Sequence, residues 1–321
     1  MNDVSLTVVI PSYNQGDLLR ECLKSIAEQT VRPSEIVVVD DGSTEDIAGM
    51  LVRNFPYVRA IRLDRNSGFC RAANVGAQAA ATQYVFLLNN DMTLAPDCIE
   101  LLLRDADLRT ILTPLVLFKA EPDVIYCAGD RILTSGRPEP IGFRETLADF
   151  SAPSRVFGAT GGAMLVPRAV FDRAGYFDES FVAYFEDADL CMRARWAGFD
   201  CALVPGAVAY HVGSASLGGK TWRRSMLCFR NHALLVAKNF PVPVLLRFSP
   251  CILRERFHQA GMLLSSARTE FGLIGAIGVL LYALSKLVAV LPRAVLARKQ
   301  LRAKTLSNRE FVALLTRPDR Q

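Results

Sequence analysis

The chain lacks the sequence signatures of several common protein classes. Its 8 cysteines never lie closer together than ten residues, so it has no Cys-x-x-Cys spacing of a zinc or redox site. It has neither a G-x-G-x-x-G after the first predicted strand nor a G-x-x-x-x-G-K followed by Ser or Thr, which argues against NAD enzymes and P-loop ATPases. With 51% hydrophobic and 21% charged residues among 321, the chain can bury a large core, which excludes disordered and collagen-like proteins.

Positive charge is scarce at the start of the chain and concentrated at its end. No basic stretch followed by an apolar run occurs near Met1, so we expect no secretory signal, reduced thiols and a cytoplasmic protein. Residues 220–321 hold 18 Lys and Arg against 4 Asp and Glu, whereas residues 1–219 hold 19 against 28. A basic tail on an acidic body indicates an anionic partner, either nucleic acid or a lipid surface.

Hydrophobic periodicity alternates between strand and helix in the first part of the chain. It predicts strands over residues 4–10, 35–39, 58–63 and 84–88, and helices over residues 15–29, 46–54 and 70–81. Such alternation builds an α/β fold with a Rossmann-like, mostly parallel sheet flanked by helices. Ligands of open sheets of this kind bind beyond the carboxyl ends of the strands.

Polar residues follow each of the four predicted strands, in the segments 11–14, 40–43, 64–68 and 89–91. Taken singly, each segment is typical of a turn or a helix cap. Together they predict a polar rim at one edge of the sheet, with carboxylates and no lysine cluster. Such a rim suits a diphosphate bridged by a metal better than a phosphate held by protein charge alone.

Three features stand out in residues 113–213, where short strands and turns suggest a second, acceptor-binding half. Glycines in the segment 158–163, before an apolar strand, either let a ligand approach the backbone closely or form a plain turn. Carboxylates in the segment 185–190 either favour the start of a helix or supply a general base beside aromatic residues. His211 after a strand is either a structural residue or a metal ligand.

The chain resembles family-two glycosyltransferases in the order and spacing of several motifs over about residues 4–240. The motifs are VVIPSYN at residues 8–14, VVVDDGS at 37–43, NSGF at 66–69, LLNND at 87–91 and FEDADLCMR at 185–193. Within that family, GYFDE at 175–179 and the HVGS sequence that begins at His211 are similar to the bacterial rhamnosyltransferase and galactofuranosyltransferase branch.

The resemblance implies a GT-A fold and an inverting sugar transfer from a dTDP- or UDP-sugar with Mg²⁺ or Mn²⁺. Asp187 would then be the general base with Glu186 beside it, and Asp91 and His211 would bind the metal. Asp41 would bind the pyrimidine base. The other residues expected to bind substrate are Pro11, Ser12, Tyr13, Asp40, Gly68, Arg71, Asn89, Asn90, Gly161 and Gly162.

The sequence departs from the family pattern at one metal-binding position and leaves some residues open to two interpretations. Asn89 stands where the D-x-D motif has its first carboxylate, which leaves fewer anionic metal ligands. Arg71 is either a cation that meets the nucleotide or a solvated helix residue. We expect Trp196 to belong to the core.

An apolar stretch lies in the basic tail, at residues 271–291, with Lys286 as its one charge. It reaches the length of about 20 residues that spans a bilayer. Arg293, Arg298, Lys299, Arg302 and Lys304 follow it, which favours interfacial or re-entrant attachment to an anionic membrane over a full span or a buried helix. We expect no nucleic-acid partner, because few aromatic residues are interleaved with the basic ones.

These features predict a glycosyltransferase domain over residues 1–240, with a nucleotide-sugar half (1–112) and an acceptor half (113–240), followed by a helical membrane-associating segment (241–321). The expected activity is transfer of L-rhamnose to a glycan or a polyprenyl-diphosphate-linked saccharide in bacterial cell-surface polysaccharide synthesis, on the inner face of the cell membrane. Alternatives are transfer of galactofuranose, glucose or mannose, and a catalytically silent scaffold that binds nucleotide sugar.

Overall fold

The computed structural model describes residues 5–153, 155–213, 221–298 and 305–317. Ser214 of the HVGS sequence and the basic residues Lys299, Arg302 and Lys304 lie outside the described residues.

The first part of the chain folds as the predicted alternation of strands and helices. Its elements are β1 (Leu6–Ser12), α1 (Gly16–Ala27), β2 (Glu35–Asp40), α2 (Ile47–Asn54), β3 (Arg59–Arg62), α3 (Phe69–Ala79) and β4 (Tyr84–Leu88). The predicted boundaries agree to within two residues at each end. All three pairings among these strands are parallel, in the order β3-β2-β1-β4.

The second part adds shorter strands and makes the sheet mixed. Its elements are β5 (Met92–Leu94), α4 (Cys98–Arg104), β6 (Thr110–Phe118), β7 (Glu121–Cys127), β8 (Asp130–Ile132), β9 (Pro138–Pro140), β10 (Ala163–Pro167), α5 (Arg168–Ala174), α6 (Glu186–Trp196) and β11 (Asp200–His211). The main sheet continues as β4-β10-β6-β11-β5, with β7 on β6. Here β11 and β6 are parallel, whereas β10 lies antiparallel to both of its neighbours.

Two hydrophobic clusters cover the two faces of the sheet. Side chains alternate between the faces along each strand, so Val8 and Ile10 of β1 pack in one cluster and Val9 packs in the other. Helix α1 follows the same logic, because Leu19 and Leu23, one turn apart, are both fully buried against the sheet.

Three helices complete the chain. They are α7 (Thr221–Asn239), α8 (Val242–Ala297) and α9 (Asn308–Leu314). Helix α9 packs on the α/β part of the chain, where Phe311 is fully buried and stacks on Trp196 with ring centroids 4.4 Å apart. Trp196 is 3% exposed, which confirms that it belongs to the core.

Helix α8 is a hairpin of two arms that meet at Gly272. The φ of 68° and ψ of −177° at this glycine break the helix, a conformation that residues with a Cβ rarely adopt. Val244 and Ala294 pack in one cluster and Leu263 and Ala283 in another, so the arms run back alongside each other. We call residues 242–297 the helical hairpin.

The helical hairpin carries the apolar stretch that the sequence predicted. By length and composition it could cross a membrane, and 17% of its most apolar 18-residue window is buried within the structure. The alternative of a helix buried in the core is therefore wrong for this window.

Candidate active site

The loops that follow the first four strands meet the second half of the sheet around a cavity of about 740 Å³. Most of the predicted site residues line it: Pro11, Ser12, Tyr13, Asp41, Gly68, Asn89, Asn90, Gly161, Gly162, Glu186, Asp187 and His211. Asp40, Arg71 and Asp91 lie outside its lining. The predicted loops therefore form one site, and three of the predicted residues lie beside its lining rather than in it.

Asp41 fastens the loop after β2 to the loop after β3. Its two carboxylate oxygens accept hydrogen bonds from the backbone N–H groups of Ser67 and Gly68, each at 2.8 Å. Burial raises the pKa of Asp41, and these two hydrogen bonds oppose that effect. Gly42 makes the turn possible, because its φ is +71° and a Cβ there would lie 2.6 Å from the carbonyl carbon of Arg65.

Asp40 and Arg71 are engaged away from the cavity. One oxygen of Asp40 accepts the N–H of Ser43 at 2.9 Å, and the other pairs with Arg62. Arg71 pairs with Glu179 at 3.2 Å on the exposed side of α3. Adjacent aspartates 40 and 41 thus have different tasks, which alternation along an extended chain explains.

Asp91 and His211 lie side by side because β5 and β11 pair with Met92 opposite His211. Asp91 Oδ2 lies 3.2 Å from His211 Nε2, while Asp91 Oδ1 and His211 Nδ1 are buried and have no hydrogen-bond partner among the described residues. Buried polar atoms without a partner are unusual. A carboxylate oxygen and an imidazole nitrogen are ligands that divalent cations accept, so this pair fits a cation.

A cation at this pair would need ligands from elsewhere. Within the described part of the chain, no group of three or more His, Cys, Asp and Glu side chains could hold a metal. The remaining ligands would then have to come from the substrate or water.

Helix α6 begins at the cavity with Glu186 and Asp187. Asp187 Oδ2 accepts the N–H of Gly161 at 2.9 Å and Oδ1 accepts the N–H of Ala188 at 2.7 Å. Glu186 Oε2 is buried, and no described residue offers it a hydrogen bond. Burial raises the pKa of both carboxyls, and the charge of Asp187 raises that of Glu186 further. A carboxylate with a raised pKa is a better proton acceptor near neutral pH.

The segment before α6 is held in an unusual backbone conformation. Val182, Tyr184 and Phe185 have φ values of 67°, 68° and 70°. Such residues cost roughly 1–3 kcal/mol each and persist where the surroundings hold them. Asn231 of α7 supplies this support, since its fully buried side-chain amide donates to the carbonyls of residues 181, 183 and 184 at 2.7–2.9 Å.

Asp189, one turn into α6, points away from the cavity. One of its oxygens lies 2.8 Å from Arg193 Nε and 2.9 Å from Lys238 Nζ, and the other accepts a hydrogen bond from Asn239 at 2.8 Å. Burial alone would raise its pKa, but Arg193 and Lys238 hold the pKa of Asp189 below its ordinary value. This network ties α6 to α7.

Sequence reasoning missed several lining residues, among them Tyr126, Asp130 and Arg224. Arg224, near the start of α7, is the one Lys or Arg among the described lining residues, and its guanidinium lies 5.6 Å from the ring centre of Tyr184. Arg224 belongs to the basic tail, whose charge predicts contact with lipid rather than a place in the cavity. Asp130 belongs to no motif, so only the fold places it in the cavity.

The sequence matches the model of Glycosyl transferase family 2 over residues 7–175. An N-acetylglucosaminyl-diphospho-decaprenol L-rhamnosyltransferase of Mycobacterium tuberculosis is 30% identical over 249 residues, which cover 68% of this chain and 79% of the relative.

Two solved structures have a similar fold. GalNAc-T7 with UDP, GalNAc and Mn²⁺ aligns with a TM-score of 0.64 at 19% identity, over 80% of this chain and 51% of the other. A mannosyltransferase from Pyrobaculum calidifontis in complex with GDP-Man and Mn²⁺ aligns with a TM-score of 0.53 at 17% identity, over 94% and 86%. At such low identity the likeness shows the fold alone.

Proposed function

The chain belongs to glycosyl transferase family 2 and is a glycosyltransferase with the GT-A fold, and from that premise we propose that it transfers L-rhamnose from dTDP-rhamnose to a polyprenyl-diphosphate-linked saccharide. The observation that carries the proposed reaction is that one site combines the buried Glu186 and Asp187 carboxyls, whose pKa is raised, with the adjacent Asp91 and His211 side chains. The 30% identical rhamnosyltransferase supports the choice of sugar and acceptor. Galactofuranose, glucose and mannose are the alternative sugars.

In the proposed reaction, Asp187 accepts the proton of the acceptor hydroxyl. The acceptor oxygen attacks the anomeric carbon as the bond from that carbon to the diphosphate oxygen breaks. The nucleoside diphosphate leaves with the electron pair of that bond. A single displacement of this kind inverts the configuration at the anomeric carbon.

Asp91 and His211, whose Oδ2 and Nε2 atoms lie 3.2 Å apart, would hold a divalent cation, Mg²⁺ or Mn²⁺. When bound, such a cation neutralises the charge that develops on the leaving diphosphate. The Mn²⁺ in the two similar structures supports this assignment. Arg224 is placed to assist, because it is a cationic side chain at a cavity that otherwise holds carboxylates.

The polypeptide on the β1–β4 side of the cavity would hold the nucleotide. Asp41 would bind the base while its loop is fixed by Ser67 and Gly68. Pro11, Ser12 and Tyr13 line the same side. Gly161, whose backbone N–H donates to Asp187, would set the distance between the donor sugar and this proposed general base.

We propose that the glycosyltransferase domain ends near residue 240 and that the helical hairpin attaches it to the membrane. Apolar side chains on the hairpin face solvent, with Phe257 77% and Ile274 87% exposed. Exposed Arg268 and Glu270 lie beside the tip at Gly272, and deep insertion would bury both charges. The hairpin is therefore proposed to lie along the cytoplasmic surface of an anionic membrane.

A donor screen tests the proposed reaction. The purified protein is incubated with Mg²⁺ or Mn²⁺, N-acetylglucosaminyl-diphospho-polyprenol and dTDP-, UDP- or GDP-sugars, and released nucleotide and glycolipid product are measured. We expect turnover of dTDP-rhamnose that is lost in Asp91→Ala. Turnover of another donor would correct the sugar. A folded protein that binds donor and turns over none would overturn the enzyme assignment in favour of a scaffold.

Vesicle flotation tests the membrane assignment. Ile274→Glu should weaken binding to vesicles that contain phosphatidylglycerol, because it places a charge on the apolar face of the hairpin. The matched control is Val52→Glu on α2, where valine is 74% exposed but far from the hairpin in sequence. Equal flotation of both variants would contradict the assignment.

A further inference from the structure

Asp130 is a carboxylate in the cavity that the reaction described above does not use. It begins the short strand β8 on the side built by residues 113–240, lines the cavity and is 8% exposed. Its backbone is fixed on both sides, since its N–H donates to the Gly158 carbonyl at 2.9 Å and its carbonyl accepts the N–H of Phe157 at 2.8 Å. The side chain therefore projects from a rigid position.

The Asp130 carboxylate lacks the partners that a buried charge requires. Among the described residues its one side-chain hydrogen bond is to the thiol of Cys127, at 3.8 Å from Oδ1, and no Lys, Arg or His lies within ion-pair distance. Burial raises the pKa of Asp130 well above its ordinary value, and the charge of Asp187 raises it further. A buried carboxyl whose one described side-chain partner is a weak thiol donor is costly, so the position fits a ligand that supplies a stronger partner.

The surroundings of Asp130 have the chemistry of a sugar subsite. Tyr126, Pro138, Pro140 and Phe143 line the same cavity with aromatic and apolar surface, and Pro140 lies opposite Asp130 where β8 pairs with β9. Binding sites for small polar ligands combine such surface with a few placed polar groups that fix orientation. A pyranose offers both an apolar ring face and hydroxyl groups at fixed angles.

We propose that Asp130 binds a hydroxyl of the acceptor sugar next to the attacking hydroxyl, and so selects the acceptor and orients it toward Asp187. The inference rests on the proposed function. The acceptor is favoured over the donor because Asp130 lies close enough to Asp187, the proposed base, for their charges to interact. Asp41 and the nucleotide loops belong to the β1–β4 side of the cavity. Asp130 is a specificity residue in this scheme, and the proton passes to Asp187.

The isosteric variant Asp130→Asn tests the proposal with N-acetylglucosaminyl-diphospho-polyprenol as the probe. We expect kcat/KM for this acceptor to fall about 10- to 100-fold, mainly through a higher acceptor KM, because the hydrogen bond to the acceptor hydroxyl is lost. The donor KM and the slow hydrolysis of donor by water should stay unchanged. Asp123→Asn is the matched control, since Asp123 is exposed on neighbouring β7.

Monodeoxy acceptors separate a binding role from a structural one. Removal of the hydroxyl that Asp130 binds should lower kcat/KM of the wild-type enzyme but cause no further loss in Asp130→Asn. An unchanged acceptor KM in the variant, or equal losses of acceptor transfer and donor hydrolysis, would overturn the proposal. If the wild-type protein hydrolyses donor but transfers to no such acceptor, the proposed acceptor is wrong and this inference fails with it.

Discussion

The first turn of α6 places carboxylates of opposite character two residues apart. Asp187 faces the cavity and forms no ion pair with a Lys or Arg in the described part of the chain, and burial raises its pKa. Asp189 faces α7, where Arg193 and Lys238 hold its pKa below the ordinary value. Residues two apart on a helix point about 200° from each other, so one turn can serve two environments. The neighbours of a carboxylate, more than its residue type, therefore decide whether it can accept a proton or stabilise the fold.

The largest expected effect is on turnover, and it comes from the cavity side of α6. Asp187→Asn should lower kcat about 10²- to 10⁴-fold, the usual contribution of a general base. The free energy of unfolding should stay the same or rise, because the variant removes a buried carboxylate that has no cation. Steady-state kinetics and urea unfolding measure the two effects.

Asp172→Asn serves as the control for this variant, because Asp172 is exposed on α5. It should leave both quantities unchanged. Full activity in Asp187→Asn would contradict Asp187 as the general base and would assign that role to Glu186.

On the side of α6 that faces α7, we expect a substitution to lower the free energy of unfolding rather than the turnover. Asp189→Asn leaves the buried Arg193 beside a neutral amide, while Lys238 keeps its ion pair with Asp178 at 2.7 Å. Removing one partner of a buried ion pair costs about 3–5 kcal/mol of unfolding free energy. Urea unfolding measures this loss against the same Asp172→Asn control. Where the variant is still folded, its kcat should be close to that of the wild type. A loss of stability below about 1 kcal/mol would show that the network contributes little.

Two asparagines of α7 form hydrogen bonds to the two sides of α6. Asn231 holds the strained segment before Glu186, whereas Asn239 bonds Asp189. Asn231→Ala should lower kcat about tenfold or more with little change in the donor KM. Without the Asn231 hydrogen bonds, residues 182–185 can relax from a conformation that costs roughly 1–3 kcal/mol per residue, which would displace Glu186 and Asp187. Asn239→Ala should lower stability and leave kcat unchanged. Identical kinetic effects in the two variants would contradict a positioning role for Asn231.

The sequence predicted the parts of this molecule that depend on local pattern. The alternation of β1 to β4 with α1 to α3 follows from hydrophobic period, and the loops after these strands meet because parallel strands end at one edge. Trp196 in the core and the apolar stretch of the hairpin follow from composition in the same way.

The remainder depends on contacts between distant residues. The antiparallel insertion of β10 between β4 and β6 pairs segments far apart in the chain, which no local period encodes. Asp40 and Asp41 are adjacent in the chain, and contacts with distant residues separate their roles, since Asp40 pairs with Arg62 whereas Asp41 accepts hydrogen bonds from Ser67 and Gly68. Asp130 belongs to none of the sequence motifs. The break at Gly272 makes the predicted apolar segment one arm of a helical hairpin.

The smallest effect expected concerns the dependence of stability on pH. Burial and the charge of Asp187 raise the pKa of Glu186 well above 4.5. Above pH 4.5 the folded state therefore keeps a proton that the unfolded state releases, and stability falls as pH rises toward the folded pKa. Asp189 acts in the opposite sense, since its lowered pKa adds stability above the ordinary value and the gain is lost as pH falls through the folded pKa. Glu186→Gln should reduce the fall in unfolding free energy above pH 4.5 and leave the fall at acid pH unchanged. Urea unfolding from pH 3 to 8 measures both. Parallel profiles for variant and wild type would mean that Glu186 is not the group that titrates on the cavity side of α6.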